Sequence, residues 1–330
     1  VMPLRTTVSS STARQISQPC VPVGSLRNLR LKADTSILLL MNESRSFSRK
    51  FSRKIRHEKM ASTSNVGKPT MLWAVPRSIS TAFFRAMENH PNTRVYLEPY
   101  SKAYYFGPER VSSRYADQPV QEECTFLSVK NTLESAGSAS PDKQVFVKDM
   151  AYYLYGNKYE PKELLPSGYR HTFLVRDPHK TVKSLYKMSI NTQLTGWDSF
   201  DEHEIGFKEL WSLYELIQTI EDEPPIVIDA DDLLQQPEDY FKAYCSRIGL
   251  PYEPSMLKWD AARDSIAAKD EWAGWFEGVL GTTSFVKPLA RKRQPSIDLP
   301  DYVMLSIERN LPYYHNFLAV KTRLEDIAED

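Results

Sequence analysis

Met71-Leu72-Trp73-Ala74-Val75-Pro76-Arg77-Ser78-Ile79-Ser80-Thr81 is the stretch on which the fold turns. Its first five residues are apolar with no polar alternation, the pattern of a short strand buried on both faces, as in a parallel sheet. A turn follows at once, and from Ser80 to Asn89 the spacing of Phe83 and Met87 predicts a helix. The same texture repeats outward along the chain. Arg94-Val95-Tyr96-Leu97, Val145-Phe146-Val147, Thr172-Phe173-Leu174-Val175 and Ile226-Val227-Ile228 are short β-rich runs. Helical periods are expected over Pro178 to Ile190, Glu204 to Glu221 and Pro237 to Ile248. In the second of these, Phe207, Leu210, Trp211, Tyr214, Ile217 and Ile220 form one apolar face. Strand followed by helix, repeated, implies a doubly wound α/β fold, a parallel sheet flanked by helices whose ligands sit at the carboxyl ends of the strands.

Composition narrows the function classes. The 330 residues carry 42 Lys+Arg and 42 Asp+Glu, so no whole-chain field recruits nucleic acid or an acidic membrane. That balance averages two unlike parts: residues 1–59 hold 12 basic and three acidic side chains, which leaves 30 basic and 39 acidic for the remainder. Rich in Ser and Arg and without a sustained period, residues 1–65 are expected to be a disordered basic leader or transit-like segment, with one α/β domain over 66–330. The Met60-Ala61-Ser62-Thr63 context reads as an ordinary initiator, which makes the tail translated leader and the protein cytoplasmic; a true transit peptide makes it organellar. A basic nucleic-acid arm is the third reading of the tail, disfavoured by its few aromatic residues. Cys20, Cys124 and Cys245 are odd in number, far apart and without a CxxC pair, which fits a reducing compartment. The longest apolar run, Ile37 to Met41, is far short of the roughly 20 residues of a membrane helix. Neither GxGxxG nor GxxxxGK(S/T) occurs, which counts against a dinucleotide enzyme, a kinase or a nucleotide hydrolase.

Two strand-to-helix turns carry the chemistry. The first, Arg77-Ser78-Ile79-Ser80-Thr81, combines a guanidinium and three hydroxyls with the unpaired N–H groups and positive dipole end of the helix that follows. A plain helix cap by Ser78 or Ser80 explains the serines but not Arg77. In the second, Phe173-Leu174-Val175-Arg176-Asp177-Pro178, Asp177 suits an N-cap and Pro178 the first helical position. Ser184 lies eight residues beyond Arg176, about two helical turns, so the pair can reach toward one ligand; Lys180, Lys183 and Lys187 add charge nearby. The competing structural reading pairs Arg176 with Asp177 and leaves the lysines as a solvated face.

Together these turns resemble the sulfotransferase family, in which a loop of the PKSGTT or PRSGST kind holds the 5′-phosphosulfate of 3′-phosphoadenosine 5′-phosphosulfate. In that family an Arg, followed eight residues later by a Ser, binds the 3′-phosphate. Ile226-Val227-Ile228-Asp229-Ala230-Asp231-Asp232-Leu233-Leu234-Gln235-Gln236-Pro237-Glu238, and Gly249-Leu250-Pro251-Tyr252 after it, look like the family's EDLL..PE turn and LGLPY helix end. Phe146-Val147-Lys148-Asp149-Met150 occupies the place of its Lys-Thr-His segment; Arg291-Lys292-Arg293 lies near the end, where the family often uses a basic loop for the 3′-phosphate, but it lacks that loop's Gly positions and reads equally as a surface charge run. The resemblance implies a P-loop NTPase-like sulfotransferase fold and a sulfotransferase using that nucleotide as co-substrate, without a metal. It assigns Arg77, Ser78, Ile79, Ser80, Thr81, Arg176 and Ser184 to the nucleotide, and Arg77 and Lys148 to the charge that builds on the leaving phosphate.

Two departures from the family pattern stand out. Ile79 replaces the usual Gly, and because a β-branched residue does not comfortably take φ > 0, either the loop stays in the right-handed region here or the approach of the phosphate is altered. Met150 falls where many members place a catalytic His, so the base must be another group. Glu98, after the second strand, resembles the glutamate used by some bacterial and carbohydrate members, and Asp149 is the second candidate; a helix cap or an ion pair is the structural alternative for either carboxylate. The acceptor is expected to be a small molecule with a hydroxyl or amine, walled by aromatics from Tyr104-Tyr105-Phe106, Tyr152-Tyr153 and Trp272-Ala273-Gly274-Trp275-Phe276, although core packing explains most of these rings equally well. No nucleic-acid or membrane partner is expected, and a homodimer is left open. A non-catalytic nucleotide-binding module is the alternative, kept alive by the missing His.

Overall fold

Five parallel strands form one sheet: β1 (Thr70–Ala74), β2 (Thr93–Leu97), β3 (Gln144–Met150), β4 (Arg170–Val175) and β5 (Ile226–Asp229), in the spatial order β2-β3-β1-β4-β5. The computed structural model describes residues 67–139, 142–259, 265, 272–285 and 298–327. The expected leader over 1–65 and Arg291-Lys292-Arg293 lie outside the described residues. All residues of β1, β3 and β5 are buried, which is why these runs lack polar alternation.

The chain moves outward from β1 to β2, returns to β3, then passes β1 to reach β4. The end of β1 is therefore flanked by two neighbours that arrive from opposite directions, with Ala74 beside Met150 and Leu174. A crevice at such a switch point is where open α/β sheets take their ligands. One residue before Ala74, Trp73 Nε1 donates to His171 Nδ1 on β4 (3.0 Å), and burial pushes His171 down to about 4, so the ring stays a neutral acceptor.

Among the described residues the helices longer than four residues are α1 (Ser80–Glu88), α2 (Pro99–Tyr105), α3 (Phe126–Ala139), α4 (Pro178–Ser189), α5 (Phe207–Gln218), α6 (Ala230–Gln235), α7 (Pro237–Ile248), α8 (Ala273–Leu280) and α9 (Asp301–Val320). Phe83 pins α1 to the sheet: it is fully buried, with ring centroids 6.1 Å from Phe146, 4.7 Å from Phe241 and 5.0 Å from Tyr244. Truncating such a ring to Ala costs about 3–5 kcal/mol.

Helix α5 corrects the expected span. Gly206 takes φ 78 as its N-cap, so the helix starts at Phe207, and Glu204 belongs to a preceding 3₁₀ turn (Glu202–Glu204). Ile220, expected on the buried face, lies past the last turn and is 41% exposed. Helix α9 packs on α4 and α5, and none of the described helices is long and apolar enough to cross a membrane.

Candidate active site

A cavity of about 290 Å³ lies at the carboxyl end of the sheet, walled in part by the residues that follow β1, β2, β3 and β4. Its β1 side is strained. Arg77 (φ 65) and Ile79 (φ 64) are both left-handed, a conformation that costs about 1–2 kcal/mol for a residue with a Cβ. With Glu98 (φ 46) they are the non-glycine residues of positive φ among those described, and all three line the cavity. Strain of this kind persists only where the surroundings impose it, and it concentrates at functional sites.

The local causes are visible. Ser78 is fully buried and its hydroxyl donates to Val75 O (2.8 Å), closing the turn from inside, while Ile79 packs on the core and its carbonyl accepts from Phe83 N (3.1 Å). Of the two alternatives for Ile79, the right-handed loop is thus corrected. Ser78 is absent from the cavity wall, and neither serine caps α1, whose N-cap is Ile79 without a side-chain hydrogen bond. Arg77, Ser80 and Thr81 line the cavity beside that uncapped helix start.

Arg77 is held in place by two neighbours. Its Nε donates to Ser184 Oγ (3.1 Å) and its Nη1 to the carbonyl of Trp275 (2.7 Å). Burial, reinforced by the nearby cation Arg176 and opposed by Glu98, lowers its pKa to about 10. The Trp275 carbonyl is supplied by α8, which sits directly on the Thr192–Thr195 turn: a Cβ on Gly274 would stand 1.9 Å from Leu194 O.

On the β3 side Lys148 is fully buried and its Nζ donates to Glu98 Oε1, while the hydroxyl of Tyr153 donates to Glu98 Oε2 (3.1 Å). The backbone N–H of Glu98 donates to Lys148 O (2.7 Å), so the two chains are tied at backbone and side chain alike. Asp149 does not line the cavity. Its carboxylate accepts from Tyr100 N (3.0 Å) and Met150 N (2.8 Å), and burial holds its carboxyl well above the usual range. Successive residues of a strand point to opposite faces, so Lys148 and Asp149 cannot share one. The second base candidate is therefore a buried cap at the start of α2.

On the β4 side Arg176 and Ser184 both reach the cavity, but they do not bond to each other. Arg176 Nη1 donates to the carbonyl of Arg77 (3.4 Å), and its Nε, buried and without a hydrogen bond, lies 3.7 Å from Asp231 Oδ1. Asp231 also takes Lys180 Nζ at 2.6 Å, so two cations share one carboxylate and a positive charge is left over. The alternative pairing of Arg176 with Asp177 is not formed: Asp177 caps α4 by accepting from His179 N (2.8 Å), with Pro178 in the first turn. Lys183 and Lys187 are not part of the wall.

The far side is aromatic. Tyr105, Tyr152, Tyr153, Trp197, Trp272, Trp275 and Phe276 line it, whereas Tyr104 and Phe106 stay in the core. One carboxylate lies among the rings: Glu204 accepts from Arg114 at both oxygens (2.6 Å each) and from Tyr105 OH (3.0 Å), and burial raises its carboxyl. The Arg114 guanidinium stacks 3.7 Å over Trp197. Glu204, Arg114, Trp197 and Asp231 escaped sequence reading as site residues. For Glu204 the one available signal is Gly206, which ends the helical period ahead of it and frees its side chain.

Residues 69–323 match the family model described as "Sulfotransferase domain". The chain belongs to the sulfotransferase domain family. Two Arabidopsis thaliana proteins, branched-chain-amino-acid aminotransferase-like proteins 1 and 2, are each 30% identical over 258 residues, covering 74% of this chain. The chain spans 40% of the length of these curated relatives. Similar solved structures include a sulfotransferase domain from the curacin biosynthetic pathway, at 15% identity and TM-score 0.49 over 76% of this chain and 98% of that one. A sulfotransferase domain from the Synechococcus PCC 7002 olefin synthase follows at 13% identity and TM-score 0.46, over 76% and 95% of the two chains. A sulfotransferase from Alicyclobacillus acidocaldarius has 10% identity and TM-score 0.43, over 78% and 98%.

Proposed function

We propose that the chain is a sulfotransferase that moves the sulfuryl group of 3′-phosphoadenosine 5′-phosphosulfate to a hydroxyl or amine of a small-molecule acceptor, with residues 66–330 as its catalytic domain. The observation that carries this reading is the meeting, in one cavity, of Arg77 beside an uncapped helix start, the buried Lys148–Glu98 pair, and Arg176 with a buried Nε that makes no hydrogen bond. These residues fit the donor. A strained turn, open helical N–H groups and Arg77 suit the phosphosulfate, and Arg176 suits the 3′-phosphate. Ser184 accepts from Arg77 and keeps its own proton to donate there. When bound, the nucleotide supplies the sulfuryl group and a phosphate leaving group.

The protein's part is charge and position. Arg77 and Lys148 oppose the negative charge that develops on the leaving oxygen, and a preorganised donor of this kind is worth about 10²–10³ in rate. Glu98 takes the acceptor's proton as the acceptor oxygen or nitrogen bonds to sulfur and the sulfur–phosphate oxygen bond breaks. The aromatic side supports an acceptor with little charge, because its one carboxylate is already held by Arg114. Cys124 and Cys245 are both thiols, which supports a reducing, cytoplasmic setting.

Glu98→Gln tests the assignment. With 2-naphthol as acceptor probe, a phenol that keeps its proton at neutral pH, transfer should fall about 10²–10⁴-fold while 3′,5′-adenosine bisphosphate still binds normally. Undiminished transfer by this variant removes Glu98 as the base.

A further inference from the structure

We propose that Tyr153 is the positioning residue for Glu98: its hydroxyl fixes the direction of the carboxylate. The inference rests on Glu98 acting as the base. Glu98 is the residue of positive φ at the end of β2, so its backbone already constrains where its side chain leaves the chain. The carboxylate is then held at both ends, by Lys148 Nζ on Oε1 and by Tyr153 OH on Oε2. Lys148 alone leaves the carboxylate free to turn about its bond to Lys148; a second donor on the other oxygen removes that freedom.

Tyr153 is suited to the task because it cannot move. It stands in a 3₁₀ turn (Ala151–Leu154) after β3, is 4% exposed, and packs against three rings, with centroids 4.4 Å from Tyr152, 5.1 Å from Tyr104 and 5.8 Å from Tyr105. Burial raises its own phenol well above the usual range, which keeps the proton on Tyr153 as a donor. The other charged and titratable groups that act on Glu98 are Lys148 from β3, Arg77 from the β1 turn, and Asp149 on the opposite face of β3. Tyr153→Phe changes none of them and removes only the hydroxyl.

The test is made on the full chain. Carboxyl-¹³C glutamate labelling, with the Glu98 resonance assigned by its loss in Glu98→Gln, reads the hydrogen bonding of this carboxylate directly. In Tyr153→Phe the resonance should shift as one donor is lost. The kcat for sulfuryl transfer to 2-naphthol should fall with it by about tenfold, while the affinity for 3′,5′-adenosine bisphosphate is unchanged. Site-specific 3,5-difluorotyrosine at position 153 keeps the shape and strengthens the donor, so it should move the resonance the other way; it also serves if Tyr153→Phe folds poorly. An unmoved Glu98 resonance in both variants, with only stability changed, makes Tyr153 a packing residue and overturns the proposal. A resonance that moves while Glu98→Gln still transfers normally leaves Tyr153 orienting a carboxylate that is not the base, which fails the functional assignment separately.

Discussion

Ile79 and Asp177 occupy equivalent places, each the N-cap of a helix that follows a strand, on the neighbouring strands β1 and β4, yet they do opposite things there. Asp177 completes its helix: its carboxylate takes a first-turn N–H, Pro178 removes another donor, and the backbone stays at negative φ. Ile79 offers its helix no acceptor, sits at φ 64, and follows Arg77 at φ 65. One turn has met its own hydrogen-bonding needs. The other carries strain and open donors, and the side chains that would have relieved it are turned inward, as Ser78 is toward Val75 O. A local rule obeyed reads as structure, and the same rule broken beside it reads as a site.

Substitutions can break this contrast, starting with the one of largest effect. Arg77→Ala removes the buried guanidinium of the open turn and should lower sulfuryl transfer by about 10²–10³-fold with the fold intact, measured as release of 3′,5′-adenosine bisphosphate. Asp177→Ala removes the cap of the completed turn and should instead lower stability by about 1 kcal/mol in urea unfolding, with transfer unaffected. Ile79→Gly should have the smallest effect. Relief of about 1–2 kcal/mol of left-handed strain offsets lost packing of a half-buried side chain, leaving stability within about 1 kcal/mol of the parent by the same measurement.

The fold was legible because parallel strands buried on both faces leave unbroken apolar runs, and all five runs are strands of the sheet. Residues 126–139 and 301–320 were not singled out as helices, and the second holds Pro312 in mid-helix, a residue that reads as a breaker. Within the site, Arg77, Ser80, Thr81, Glu98, Lys148, Arg176 and Ser184 meet in one cavity as their strand-end positions implied. Ser78 and Asp149 do not, because the direction of a side chain depends on strand alternation and turn geometry that residue type does not encode. Partnerships were the least legible part. Arg176 was weighed against Asp177 next to it in sequence, but it lies against Asp231 across the β4–β5 boundary, a contact that only the sheet order creates.

Calorimetric titration of the full chain with 3′,5′-adenosine bisphosphate, and with ADP as control, puts the site to the most direct test. The expected result is binding that prefers the 3′-phosphorylated nucleotide, weakened by at least about tenfold in Arg176→Ala and unchanged in Asp177→Ala. Equal binding of ADP, or an equal loss in Asp177→Ala, would contradict the reading of these two turns as one site and one cap.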